Sequence, residues 1–294
     1  MGVAAAVTIA TFAGCSLFVD LGGLQDGPSL SCDGGCGDTS TSDQSVVDSD
    51  AAPDSSSSSG PCPSGRGPAM VEYLGVCIDS TEVTKADYYA FLSEHPTVKQ
   101  DGPCVFNTTY APGNPATDSD PPNVPMDGLD WCDARDFCAW SGKHLCGDVD
   151  GGPMHYPENS FGAWYQVCSQ GGLFNFPYST LGSEQAIDGA CFVGDTDAAA
   201  RPLPPKSFPL CDVADAGIYD MIGNSEEWAN ICAEANDITD DAGDTVAEGG
   251  APYGYCLRLG GYFATLLGDV DCRTRYALPR DSTGPSVRCC AEPR

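Results

Sequence analysis

Seventeen cysteines in 294 residues limit what this chain can fold into more than any other feature. In a reducing cytosol so many thiols would be a hazard. In an oxidising compartment they read as a disulfide framework. Each bond restricts the unfolded chain and contributes about 2–4 kcal/mol, so long irregular loops can surround a modest core. Charge narrows the function classes further. Lys and Arg total 13 against 42 Asp and Glu, a formal charge of −29. Nucleic acid is therefore not an expected partner, because phosphate binding needs a basic surface that releases counterions. An anionic lipid face is disfavoured for the same reason. The composition suits a soluble, self-repelling extracellular surface.

The N-terminus reads as an export signal. Val3 to Ala13 is apolar but too short to span a bilayer, and it ends in Phe12-Ala-Gly-Cys15. Small residues before a cysteine match a bacterial lipobox, although Phe12 stands where Leu is usual and no Lys or Arg precedes Cys15. The expected organisation is a signal peptide over 1–14, then lipidated Cys15 with an Asp/Ser/Gly-rich disordered linker over 15–60 and a globular domain over 61–294. Membrane contact is expected only through that lipid anchor, on a bacterial cell-envelope or secreted protein. The linker carries the run Ser55–Ser59 and has too little apolar area to offset its ordering entropy. Cys32 and Cys36 inside it suit a small local loop. Without Cys15, sixteen cysteines remain, enough for eight bonds of undetermined connectivity.

Within the globular part, Val76-Cys-Ile-Asp79 reads as a short buried strand. Thr84-Lys-Ala-Asp87 is a capping box that opens a helix through Tyr88, Phe91 and Leu92. A second helix is expected over Trp131–Trp140, with Ala134, Phe137 and Cys138 on one face and Ser141-Gly142 as its end. Trp164–Cys168 suggests a third, short helix. The stretch Tyr219-Asp-Met-Ile-Gly-Asn-Ser-Glu-Glu-Trp228 places Asp220, Glu226 and Glu227 around a tight turn anchored by Tyr219, Met221, Ile222 and Trp228. Such an acidic turn can hold calcium, which takes 6–8 oxygens from carboxylates and turn carbonyls, or its acids can face water.

These blocks follow one another in an order that resembles a known family. Ile78-Asp-Ser-Thr-Glu-Val-Thr84, Leu129-Asp-Trp-Cys-Asp-Ala134 and Phe137-Cys-Ala-Trp-Ser-Gly-Lys-His-Leu145 come first. Tyr219–Asn224, Glu227-Trp228, Arg258-Leu-Gly-Gly261 and Arg288-Cys289 complete the series. Together they resemble the formylglycine-generating enzyme, or sulfatase-modifying factor, family, in its cysteine-rich bacterial lipoprotein branch. The resemblance implies an α+β fold that is irregular, loop-rich, disulfide-rich and C-type-lectin-like. It also implies structural calcium at the opening turn, with side-chain oxygens from Asp220 and Glu227 and backbone carbonyls from Gly223 and Ser225. A second family calcium site has no placeable ligands, because Phe174–Phe192 departs from the pattern. By the same analogy Cys138 pairs with Cys289 and Cys168 with Cys272. Closeness in sequence suggests Cys191 with Cys211 and Cys232 with Cys256.

The family's enzymes oxidise a sulfatase cysteine to formylglycine using copper(I) held by two thiolates, ligands whose softness suits that ion. Here the corresponding loop reads Gly260-Gly-Tyr-Phe-Ala-Thr-Leu-Leu-Gly-Asp-Val270. Thr265 stands where the first thiolate belongs and Val270 near the second, while Tyr262 replaces the usual serine. Copper is accordingly not expected. The reading is a non-catalytic binding or recognition module for an extracellular protein or glycan, or alternatively an oxidoreductase with an unrecognised thiol pair.

Other chemistries are weaker. His95, His144 and His155 lack zinc-helix spacing, and no serine elbow or phosphate loop is present. His95 suits a helix-end cap, His144 a structural role and His155 a Gly-Pro-rich loop. Asp240, Asp241 and Asp244 suit an exposed loop. Trp131, Trp140, Trp164 and Trp228 suit core more than a ligand pocket. Arg258, Arg273, Arg275 and Arg288 suit pairing with acids more than anion binding.

Overall fold

Helix α1 (Lys85–Ser93) begins where local chemistry dictates. Thr84 Oγ1 accepts from the Asp87 N–H at 3.3 Å, and Asp87 Oδ2 accepts from the Thr84 N–H at 3.1 Å, so two orphan donors are satisfied reciprocally. His95 ends this helix through its backbone: at φ 50° its N–H donates to the Leu92 carbonyl at 3.0 Å, and Pro96 follows. Helix α2 (Trp131–Trp140) repeats the device with Asp130 and Asp133. It turns Ala134, Phe137 and Cys138 inward, and Gly142 after it has φ 78°. Helix α3 (Ala163–Cys168) is the third. This computed structural model describes residues 62–113, 121–156, 162–178, 185–197, 199–233 and 253–294. The leader, Cys15, the linker with Cys32 and Cys36, and Asp240, Asp241 and Asp244 lie outside the described residues.

Two small sheets complete an α+β architecture. The first has the order β1 (Met70–Tyr73), β2 (Val76–Asp79), β9 (Cys289–Ala291), β3 (His144–Leu145), all antiparallel. The second runs β4 (Met154–His155), β5 (Glu227–Ala233), β6 (Tyr255–Leu259), β7 (Arg275–Pro279), with β8 (Ser286–Val287) parallel to β5. His155 therefore lies in a strand and not in a loop, because its backbone pairs with β5 opposite Cys232.

Alternation along the strands divides the apolar residues between two cores. Cys289, Trp228 and Cys256 face an aromatic core with Tyr88, Phe91 and Phe137, while Cys290, Ala229 and Leu257 face another with Trp164, Met221 and Ile222. The three helix aromatics touch at centroid distances of 5.4–5.9 Å.

All described cysteines are in disulfides: Cys62–Cys77, Cys104–Cys132, Cys138–Cys289, Cys146–Cys290, Cys168–Cys272, Cys191–Cys211 and Cys232–Cys256. The adjacent Cys289 and Cys290 tie one strand into both cores across sequence separations of 151 and 144. Closing loops that long removes the most freedom from the unfolded chain.

Burial of acids leaves a pH signature. Burial pushes the Asp133 carboxyl from 3.8 to about 8, with the neighbouring Asp130 charge adding to the effect. Burial likewise raises Asp130 and Asp220 to about 6. A folded-state value above the unfolded one favours the protonated form, so this contribution is complete below about pH 4 and is lost as pH climbs through 6 and then 8. Melting temperature should fall by several °C, on the order expected for a few kcal/mol, between pH 5 and pH 8. A rise over that interval in thermal melts would contradict the assignment.

Candidate functional site

The turn between Tyr219 and β5 is shaped by three residues in the left-handed region: Asp220 (φ 58°), Gly223 (φ 76°) and Asn224 (φ 52°). Asp and Asn tolerate that region because their short side chains bond locally. At Gly223 nothing larger fits, since a Cβ there would lie 2.4 Å from the Phe192 carbonyl oxygen. Backbone bonds stitch the turn to its surroundings. Tyr219 N–H donates to Ser80 O, Gly223 N–H to Gly260 O and Asn224 N–H to Phe192 O, while Asn224 O accepts from Phe263 N–H.

Beneath the turn lies a buried ionic cluster. Arg288 sits between β8 and β9 and is fully enclosed. Its Nε donates to Glu227 Oε1 at 3.0 Å and Nη2 lies 2.9 Å from the same oxygen. Nη1 donates to the Asp79 carbonyl at 2.8 Å and Nη2 to the Tyr219 carbonyl at 2.7 Å. Glu227 Oε2 accepts from Trp164 Nε1 at 2.6 Å. Asp220 Oδ2 accepts from the Lys206 N–H at 2.7 Å. Glu82, also enclosed, accepts from Asn224 Nδ2 on Oε1 at 2.9 Å. Its Oε2 accepts no hydrogen bond among the described residues and stands 4.0 Å from Arg288 Nη2. Burial, then the Asp220 charge, holds the Glu82 carboxyl well above the usual range.

The residues implied to hold calcium, Asp220, Gly223, Ser225 and Glu227, all lie on this turn. Both Glu227 oxygens are also engaged by a guanidinium and an indole N–H, and Asp220 Oδ2 by the Lys206 N–H. If the ion binds there, dialysis against a chelator should lower the melting temperature and added calcium restore it; an unchanged melting temperature would refute the site.

Arg288→Met should cost on the order of 3–5 kcal/mol in urea unfolding, because it strands a buried carboxylate. Pairing it with Glu227→Gln should recover part of the loss. A single Arg288→Met with unchanged unfolding would remove the cluster from any structural role.

The Gly260–Val270 loop packs on the outer side of the turn. At Gly260 (φ 84°) a Cβ would meet the Met221 carbonyl oxygen at 2.6 Å. Thr265 and Val270 converge on Gly261. A Cβ there would lie 2.9 Å from Thr265 Oγ1 and 3.3 Å from Val270 Cγ2. Thr265 Oγ1 accepts from the Tyr262 N–H at 3.0 Å, and Val270 is part of the Trp164 core. A hydroxyl and a pair of methyl groups thus sit together beside Gly261. Above them runs a line of partly open rings: Phe208, Phe192, Phe263 and Tyr262, with successive centroids 5.4, 5.9 and 5.3 Å apart. Tyr262 is 41% and Leu266 55% exposed.

Other sequence candidates fall away from this site. Trp131 and Trp228 are core, and Trp140 carries Arg66 over its ring at 4.5 Å. Trp164 is buried but also borders a surface depression with Tyr156, Arg273 and Arg275. Arg258 pairs with Glu226, whereas Arg273 is exposed and Arg275 lies over Tyr156 at 5.8 Å. His144 stands 3.3 Å from Glu292. Sequence reasoning missed Glu82 and Asn224 as members of the cluster; a charged residue between Thr81 and Val83 in a buried segment was the available signal.

A family model described as the sulfatase-modifying factor enzyme 1-like domain matches residues 64–266. The chain is 26% identical over 153 residues, 52% of its length, to the serine/threonine-protein kinase Pkn1 of Chlamydia trachomatis, of which the match spans 21%. Among solved structures, PvdO from Pseudomonas aeruginosa aligns with a TM-score of 0.48 at 19% identity, covering 78% of this chain and 90% of that one. CarF aligns at 0.46 and 16%, covering 78% and 95%. At those scores neither structure bears on function. The family match is of a different kind, because it covers more than half of the chain and includes the turn and the Gly260-Gly261 pair: this protein belongs to the sulfatase-modifying factor family.

Proposed function

We propose that the domain is a recognition module outside the cytoplasm that retains the family scaffold without its copper-thiolate chemistry. One observation carries this reading: Thr265, where the resemblance puts the first thiolate, and Val270, near where it puts the second, lie together beside Gly261. Neither side chain is a soft ligand, and every described cysteine is already bonded to another. Calcium has no part in the proposal.

The partly exposed line of Tyr262, Phe263, Phe192 and Phe208, with exposed Leu266 on the same loop as Tyr262, supplies an apolar contact face, and such faces mark interaction sites. Asp195 and Asp269 lie on the same loops, and the chain as a whole is strongly acidic. That setting favours a protein partner carrying apolar and basic side chains over a neutral glycan.

Incubated with copper(I) and a Cys-x-Pro-x-Arg peptide, the protein should yield no aldehyde by mass spectrometry. The paired substitution Thr265→Cys with Val270→Cys should gain thiolate-to-copper absorption that the natural sequence lacks. Aldehyde formed by the natural protein would end the non-catalytic reading.

A further inference from the structure

One of the seven disulfides among the described residues has a cationic side chain against its sulfur. Cys232 and Cys256 stand directly opposite each other on β5 and β6, and Arg280 donates from Nε to Cys256 Sγ at 3.2 Å. The guanidinium is held in place. Its Nη1 donates to the Tyr253 carbonyl at 2.8 Å, its carbon lies 5.5 Å from the Trp131 ring centre, and its backbone N–H donates to Gly254 O at 3.1 Å. Arg280 is therefore a fixed positive charge against one sulfur of a covalent bond.

The two sulfurs also differ in access. Cys232 is 8% exposed and Cys256 1%. Among the described bridged cysteines only Cys62 is more open than Cys232. Cys232 is thus the more open end of this bond to an incoming thiolate, which makes Cys256 the leaving sulfur. A leaving thiol departs faster when its thiolate is stabilised, and a neighbouring arginine stabilises a thiolate.

We infer that Cys232–Cys256 is a redox-active couple, opened by an external dithiol through attack at Cys232 with Arg280 stabilising the departing Cys256 thiolate. In the first step the reductant's sulfur forms a bond to Cys232 Sγ, and the electron pair of the old bond passes to Cys256 Sγ. In the second, the reductant's other thiolate displaces Cys232. The reductant ends as a disulfide, and the protein has gained two electrons and, on protonation, two protons. The strands do not depend on this bond for their pairing, since Ala233 opposite Tyr255 and Trp228 opposite Arg258 flank it. The couple can open and close within a folded domain.

The test uses the oxidised, full-length protein titrated with dithiothreitol or reduced thioredoxin, with free thiols trapped by N-ethylmaleimide and located by peptide mapping. Cys232 and Cys256 should be labelled before any other pair while the other six bonds remain closed. Arg280→Gln should slow this opening by about tenfold, and Arg280→Lys should restore part of the rate. Another bond opening first, or unchanged opening in Arg280→Gln, would overturn the proposal. Should Arg280→Gln fail to fold, alkylation of Cys256 in the selectively reduced natural protein decides. A midpoint below about 8.5, the ordinary thiol value, supports the stabilised thiolate, and one at or above it refutes it.

Discussion

Arg288 gathers the parts of this molecule that no regular element connects. It lies where the chain passes from β8 in one sheet to β9 in the other, and its guanidinium reaches Glu227 on β5, the Asp79 carbonyl at the end of β2 and the Tyr219 carbonyl in the acidic turn. Trp164 from α3 completes the set through Glu227. A buried ion pair is weak evidence for net stability, because desolvating both charges offsets most of their attraction. What it supplies is geometry. Five planar donors admit few arrangements of carbonyls and carboxylate, so the two sheets and the turn are fixed relative to one another.

That role is compatible with a protein so poor in helix and strand. Strands of two to seven residues bury little area each, and the described chain is mostly turns and loops. Covalent closure reduces the entropy such loops would otherwise retain when unfolded. Cys289 and Cys290, one residue beyond Arg288, anchor the same strand into both cores. Ionic and covalent fixation thus meet within three residues near the C-terminal end of the fold.

How much of this could be read from sequence depended on how local its cause was. The start of α1 was legible because Thr84 and Asp87 cap it through contacts three residues apart, and Ser141-Gly142 marked the end of α2. The two-residue strands β3, β4 and β8 were not, since two residues show no period and owe their conformation to a distant partner. The acidic turn shows the limit most clearly. Asp220 and Glu227 look alike in sequence whether their countercharge is an ion or an arginine sixty residues on. Only the fold brings Arg288 to Glu227. Grouping Arg258, Arg273, Arg275 and Arg288 as partners of acids was right for Arg258 and Arg288, which the fold encloses beside carboxylates, but not for exposed Arg273.

The ionic cluster and the Gly260–Val270 loop are two faces of one turn. Gly223 bonds to Gly260, and Asn224 links Glu82 beneath to Phe263 above. Because the scaffold positions that loop through backbone bonds, replacing two side chains within it does not disturb the positioning. Thr265 answers the Tyr262 N–H with its hydroxyl, and Val270 joins the core. Each side chain satisfies local packing without offering a soft donor. The backbone bonds hold the line of aromatic rings in register with the turn. The proposed recognition role therefore asks for no change in the fold beneath that loop.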